Sequence, residues 1–338
     1  MILEAGARIG LEPRTLEALR ALAIDENLAA RLGETLATRD EDAALAEVRG
    51  ANVESTLGRD GARTFYLALA LAQVPAAQAR HRAHGVPSSI SLATLADLGV
   101  WVRHFRAQIG IEGITLEILG WAQRYLRGEL YRVSALQFDL RPFVGTIRVR
   151  RHRVSRALSI TTLDGSVIDP ATGDVGDAHP THDDSWDVIL EPGTPALDMH
   201  IPANTFVTLR STAHSIRDGF AFFESLGRTE LPVGACGEAW LLDPSVRALL
   251  PRNKGLHAVQ RACCLFPSTL AEGKTVRRLF GPDVSRADLA GWPRAEMNTL
   301  QRAVADFLAH PTNTLRARGG FILREELAAL PVWGPIED

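Results

Sequence analysis

Lysine is nearly absent from this chain. Lys254 and Lys274 are the only two in 338 residues, and arginine carries almost all the positive charge. With a net charge of −3 there is no basic field to gather nucleic acid, so no nucleic-acid partner is expected. Cysteine is as sparse. Cys236, Cys263 and Cys264 form an odd set with two members adjacent, which is neither a disulfide framework nor a metal-ligand spacing. They are expected to pack as small apolar groups in a reduced, cytoplasmic protein. No window approaches the roughly 18 uncharged apolar residues that span a bilayer. The opening MILEAGARIGLEPRT also lacks the basic-then-apolar pattern of a signal peptide, so no membrane partner is expected. GxxxxGK[ST], GxGxxG and GxSxG stretches are missing too, which leaves nucleotide hydrolysis, dinucleotide binding and α/β-hydrolase chemistry without support.

Hydrophobic residues make up 46% and charged residues 23%, the balance of a folded globular chain, and the length suggests two domains. The two halves have different textures. From residue 12 to 127 the apolar spacing is helical throughout and predicts six or seven helices. TFYLALALAQ is apolar on nearly all sides and reads as a central buried helix. Leu92, Leu95, Leu98, Val102 and Phe105 form one stripe that Gly110 can end. Pro13 and Pro75 sit where helices could begin. His81, His84 and His104 read as packing or surface residues.

After Gly128 the segments ELYRVSALQFDL, VGTIRVRRH and RALSITTL alternate β-branched and aromatic residues as strands do. A polar stretch over 164–187 follows, rich in aspartate, with His179 and His182. Its spacing matches neither a calcium loop nor a zinc helix, so it reads as a solvated turn region. Beyond it the pattern predicts a strand at 197–201, a helix at 208–226, a strand at 235–242, a helix at 244–250 and a strand at 256–266. A last helix over MNTLQRAVADFLAH and the strand GGFIL complete the half. The expected fold is α+β: a helical domain over 1–127, a mixed β-sheet domain flanked by helices over 128–324, and a tail over 325–338.

Asp198 and His200 are two apart on one strand and share a face, as do Cys236, Glu238 and Trp240 on another. Glu129 and Tyr131 make a third pair at the start of the second half. Were these strands neighbours, a histidine and carboxylates would meet in one cleft, able to take a proton from an attacking amine or hydroxyl. The helix over 208–226 begins beside the strand at 197–201, and a helix N-terminus offers unpaired N–H groups to an anion. The alternative is that Thr208 or Ser211 simply caps it.

GELYRVSALQFDL, LDMHIPA, GFAFFESL, AWLLDPSVRALLP, GLHAVQRACCLF and NTLQRAV, in this order, resemble the bacterial acyltransferase-domain family. That family joins a helical N-acyltransferase N-terminal domain to a GNAT-like C-terminal domain. The likeness is clearest over 110–310. It implies that acetyl-CoA or another acyl-CoA lies in a splay between two central parallel strands, here 197–201 and 235–242, and that no metal takes part. It implies pyrophosphate contacts from Ile201, Ala203, Asn204, Thr205 and Arg210. Glu129 or Glu238 would act as base, with His200 assisting, and the acyl group would pass directly to an amine or hydroxyl of a small-molecule or peptide acceptor. The sequence departs from the pattern at PANTFVT, where the usual phosphate loop has glycines, and at Gly237 and Ala239, where relatives have Cys and Ser. These departures motivate a second expectation, a ligand-binding or interaction protein that has lost the cofactor. The helical half could also serve as a platform for a homodimer.

Overall fold

The protein is described by a computed structural model covering residues 1–22, 26–203, 205–228, 232–250 and 252–330. Asn204 and the tail beyond residue 330 lie outside the described residues. The chain divides into two compact units: Met1–Val133 with Pro202–Thr205, and Ser134–Ile201 with Phe206–Asp338. Among the described residues no helix is long and apolar enough to cross a membrane.

The first unit is helical: α1 (Ile2–Arg8), α2 (Pro13–Ala21), α3 (Glu26–Thr38), α4 (Glu41–Gly50), α5 (Val53–Ala83), α6 (Ser88–Ile109) and α7 (Leu116–Leu126), ending in the short strand β1 (Tyr131–Val133). α5 is the central element. Its TFYLALALAQ stretch is buried from Thr64 to Leu71, as an all-round apolar helix should be. Pro13 starts α2 as expected, but Pro75 lies inside α5. The lost N–H there is outweighed by the apolar surface that α5 buries on both sides of it, including Leu71, Val74 and Ala77. Gly110 closes α6 in the left-handed conformation. Of the predicted α6 stripe, Leu95, Leu98, Val102 and Phe105 are buried, and Leu92 is exposed at the helix start. His81 is a packing residue, fully buried between Ser91 Oγ and the carbonyl of Tyr125, both at 2.9 Å.

The second unit is built on a mixed sheet. Its strands β2 (Leu136–Pro142), β6 (Pro195–His200), β7 (Gly234–Ala239), β9 (Arg318–Leu323) and β8 (Cys264–Pro267) lie side by side in that order. A smaller antiparallel sheet, β3 (Ile147–His152) between β4 (Leu158–Thr162) and β5 (Trp186–Leu190), packs on one face. Ile147, Val149, Ile160 and Leu190 there share a core with Ala196, Cys236, Phe266 and Phe321 of the large sheet. The opposite face is covered by α8 (Leu209–Ser225), whose Gly219 lets the helix settle on the ring of Phe138. The α8 positions Ile216, Phe220 and Phe223 are buried, as their spacing predicts. A satellite core of Val246, Val276, Phe280, Val304 and Leu308 joins α9 (Val246–Leu249), α11 (Glu272–Phe280) and α12 (Thr299–Ala309).

Two segments differ from the sequence reading. The predicted strand at 256–266 is mostly helix α10 (Lys254–Ala262), and only β8 after it is extended. Asn253 caps this helix by accepting from the Leu256 N–H, and buried Leu256 and Val259 at helical spacing outweigh the β-branched and cysteine signals. The strand predicted to 242 stops at Ala239, and Trp240–Leu242 wind into a 3₁₀ turn.

Candidate active site

The large sheet changes direction between β6 and β7. β2 pairs with β6 antiparallel along the whole strand, and β7 pairs with β9 antiparallel from Gly234 to Ala239. Between them β6 and β7 run parallel, and their ladder holds only Leu197 with Ala235 and Asp198 with Cys236. Past that point β6 runs out at His200 and Pro202, while β7 stays tied to β9. The backbones are still close one pair beyond the ladder: a Cβ on Gly237 would stand 2.5 Å from the Met199 carbonyl oxygen. That contact explains why a residue with no side chain occupies position 237.

The polar residues of this region share one face. The register sets Asp139 opposite Asp198 and Gln137 opposite His200, so Asp139, Arg141, Asp198 and His200 project together. Extending the β6–β7 register from Asp198 and Cys236 puts Glu238 on the same face, in the row of His200. Asp198 and His200 therefore stand on a strand next to that of Glu238, as the sequence anticipated. The side chains of Asp139, Asp198 and His200 are 8%, 13% and 20% exposed. His200 Nε2 lies 3.1 Å from Asp198 Oδ2 and 3.7 Å from Asp139 Oδ1. Arg141 pairs with Asp198 and reaches Asp139 Oδ2 at 3.8 Å. Three acidic or imidazole groups this close could gather a cation, and here the guanidinium of Arg141 already supplies the positive charge. Glu238, half-buried, accepts a hydrogen bond from Ser268 Oγ at 2.6 Å.

Asp139 and Arg141 are the members that the sequence reading missed. The clue was available in LQFDLRP, where polar Gln137, Asp139 and Arg141 alternate with apolar Leu136, Phe138 and Leu140. The same alternation in Leu197-Asp198-Met199-His200 marks the partner strand.

The start of α8 is capped from within. Thr208 Oγ1 accepts from the Ser211 N–H at 3.0 Å, and Ser211 Oγ accepts from the Thr208 N–H at 3.1 Å. This capping box does not engage the N–H groups of Leu209 and Arg210, the first two of the helix. Arg210 is exposed beside a shallow groove of about 370 Å³, lined also by Ser134, Ala135, Ser211 and His214. The first turn of α10 rests on the same loop. A Cβ on Gly255 would lie 3.1 Å from the Val207 carbonyl oxygen and 3.4 Å from Thr208 Cα, which brings the exposed Lys254 to the start of α8. Arg217 is committed elsewhere, donating to the Leu327 carbonyl at 2.8 Å. Phe206 is 75% exposed and turned outward.

The other predicted residues are distributed between the units. Ile201 and Arg210 belong to the second. Ala203 and Thr205 fall in the first, where Ala203 packs at the edge of the helical core. Glu129 is exposed in the first unit after α7, its N–H donating to the Arg124 carbonyl at 2.9 Å. None of the three thiols is poised as a nucleophile. Burial pushes Cys236 far up, Cys263 up to about 12 and Cys264 up to about 11.

No curated protein matches the chain. Among solved structures it is similar to an acyltransferase in complex with decanoyl-CoA and teicoplanin, at 22% identity and a TM-score of 0.65, over 95% of this chain and 86% of that one. It is also similar to an acyltransferase mutant in complex with octanoyl-CoA, at 21% identity and a TM-score of 0.63, with the same coverage. At these identities the likeness shows a shared fold. Residues 3–128 match the N-acyltransferase N-terminal domain, and residues 130–322 match the GNAT-like C-terminal domain. By that second match, which takes in more than half of its length, the chain belongs to the family of the GNAT-like C-terminal domain, here preceded by an N-acyltransferase N-terminal domain.

Proposed function

We propose that the protein is an acyl-CoA-dependent acyltransferase that moves an acyl group directly to an amine or hydroxyl of a small-molecule or peptide acceptor. The observation that carries this reading is the short β6–β7 ladder. Parallel strands whose ladder ends at Asp198 and Cys236, and which part beyond Met199 and Gly237, would leave backbone groups of β7 on that side to a pantetheine arm, whose amides need such partners. The solved acyltransferases of this fold, which hold octanoyl-CoA or decanoyl-CoA, support the assignment.

The pyrophosphate would sit at the start of α8, against the Leu209 and Arg210 N–H groups. Arg210 and Lys254 would supply the positive charge that glycine-rich loops obtain from bare backbone. In the transfer step the acceptor nitrogen or oxygen bonds to the thioester carbon, the carbon–sulfur bond breaks, and CoA leaves as the thiol. The acceptor proton passes to His200 and from there to the departing sulfur, with Glu238 on the same face to hold the acceptor. Glu129 is given no step. The teicoplanin bound by one neighbour exemplifies an acceptor of the peptide class.

The test is transfer from acetyl-, octanoyl- and decanoyl-CoA to amine-bearing glycopeptides, followed by mass spectrometry of the acceptor and release of free thiol. Acylated acceptor that disappears in His200→Asn supports the reading. Thioester left intact with every acyl chain and acceptor counts against it. One observation favours the second reading, a binding protein without the cofactor: the capping box already satisfies two donors at the α8 start. Saturable acceptor binding with no CoA binding would select it.

A further inference from the structure

We infer that Asp139, Asp198 and Arg141 are positioning residues that prepare His200 to accept one proton, at Nδ1; this rests on the reading of His200 as the base. Ionised carboxylates can only accept hydrogen bonds, and His200 Nε2 faces Asp198 Oδ2 at 3.1 Å and Asp139 Oδ1 at 3.7 Å. Both of those oxygens are fully buried. Nε2 therefore carries the ring hydrogen, and the lone pair that can take a proton is on Nδ1.

The charge count leads to the same conclusion. Two ionised carboxylates and one guanidinium leave the cluster with one net negative charge, and a net charge is costly where surroundings are mostly protein. Protonation of the imidazole brings the sum to zero. The cluster thus favours the proton that transfer releases, and Arg141 stops a second proton from being favoured by neutralising one carboxylate. The neighbouring strands add charge of the same sign only. β2 adds uncharged Gln137 opposite His200. From β7 come Cys236, whose buried thiol stays neutral, and half-buried Glu238, a carboxylate that accepts from Ser268 and acts on the imidazole in the same sense as Asp139 and Asp198. The small sheet contributes the apolar Ile147, Val149, Ile160 and Leu190 to this face.

The test uses the full chain with ring-labelled histidine, read by carbon–proton NMR over a pH series. The His200 signal is identified by its loss in His200→Asn. Asp139→Asn and Asp198→Asn are each expected to lower the His200 midpoint by about one pH unit, and Arg141→Gln to raise it. Asp139→Glu, which keeps the charge, is expected to hold the midpoint near that of the native chain. The acid limb of the kcat/KM profile should move with the midpoint, which a merely structural contact would not produce. If Asp139→Asn does not fold, the Asp198 and Arg141 variants report the same quantity. A midpoint unmoved in the folded variants overturns this inference whatever the transfer rate. A midpoint that moves while His200→Asn retains full transfer supports the charge cluster and removes His200 as the base.

Discussion

Asp139 and Asp198 face each other across the β2–β6 ladder, and the guanidinium of Arg141, two residues along β2, contacts both. Like charges directly opposite on a sheet repel. Arg141 offsets that repulsion and makes the pair tolerable at the edge of the splay. Arg141 is itself 41% exposed, so solvent screens part of the loss, and Arg141→Met should cost about 1–2 kcal/mol. The loss should shrink in acid, where the carboxylates left behind can be protonated. Urea unfolding at pH 5 and pH 8 measures both effects.

At Gly237 the backbone of β7 lies close against that of β6. Gly237→Ala would push a methyl group against the Met199 carbonyl, whose oxygen stands 2.5 Å from where that methyl carbon would sit. Overpacking of this kind costs about 1–3 kcal/mol, so the melting temperature should drop accordingly. Gly237→Val should be worse. An unchanged melting temperature in both variants would show that the strands separate earlier than Gly237.

His81 gives the first unit an acid-sensitive core. Burial holds its imidazole below the ordinary histidine value, with the neighbouring positive groups His84 and Arg80 acting in the same direction. Near pH 6.5 the unfolded chain binds a proton that the folded chain resists. The stability from neutral His81 is thus present above that pH and is lost as pH falls through it. For one proton the slope reaches at most about 1.4 kcal/mol per pH unit. His81→Gln should flatten the pH 7 to 5 portion of the stability curve, measured by denaturant unfolding.

The three thiols should be inert in the folded protein. Cys236 and Cys263 are buried and Cys264 is nearly so, and burial raises all three. Iodoacetamide at pH 8 should label none of them within the time that labels all three in denaturant. Mass spectrometry counts the adducts. Rapid native labelling of Cys236 would mean that the core between the two sheets opens.

Arg210 and Lys254 are placed at the helix starts and should matter for the nucleotide end of CoA alone. Arg210→Ala or Lys254→Ala should raise KM for acyl-CoA about tenfold, the worth of one charge-assisted contact. KM for the same acyl group on pantetheine should stay within about twofold. Steady-state kinetics with both thioesters separates the two cases.

Much of this architecture could be read in the chain. The all-apolar α5, the Gly110 and Gly128 stops and the capped, amphipathic α8 follow from local propensity and spacing, which act within a few residues. The shared face of Asp198 and His200 also followed from the period of two, and the parallel neighbours β6 and β7 from the family resemblance. The missed features depend on partners distant in sequence. α10 read as a strand because its valine is a good strand residue and its sequence runs straight into the extended Cys264-Leu265-Phe266, and only packing on α8 and the Asn253 cap decide the matter. Asp139 and Arg141 acquire meaning through the β2–β6 register, which alternation hints at but cannot fix. Lys254 reaches the start of α8 because Gly255 permits a close backbone contact, and no local pattern announces that.

The central claim is that the gap between β6 and β7 receives a CoA thioester. Calorimetric titration of the full chain with decanoyl-CoA and with acetyl-CoA tests it most directly. The account predicts saturable one-to-one binding by at least one of them, lost or strongly weakened when Gly237 is replaced by Val in a variant that still folds. No heat and no stabilisation at millimolar concentrations of either thioester would contradict it.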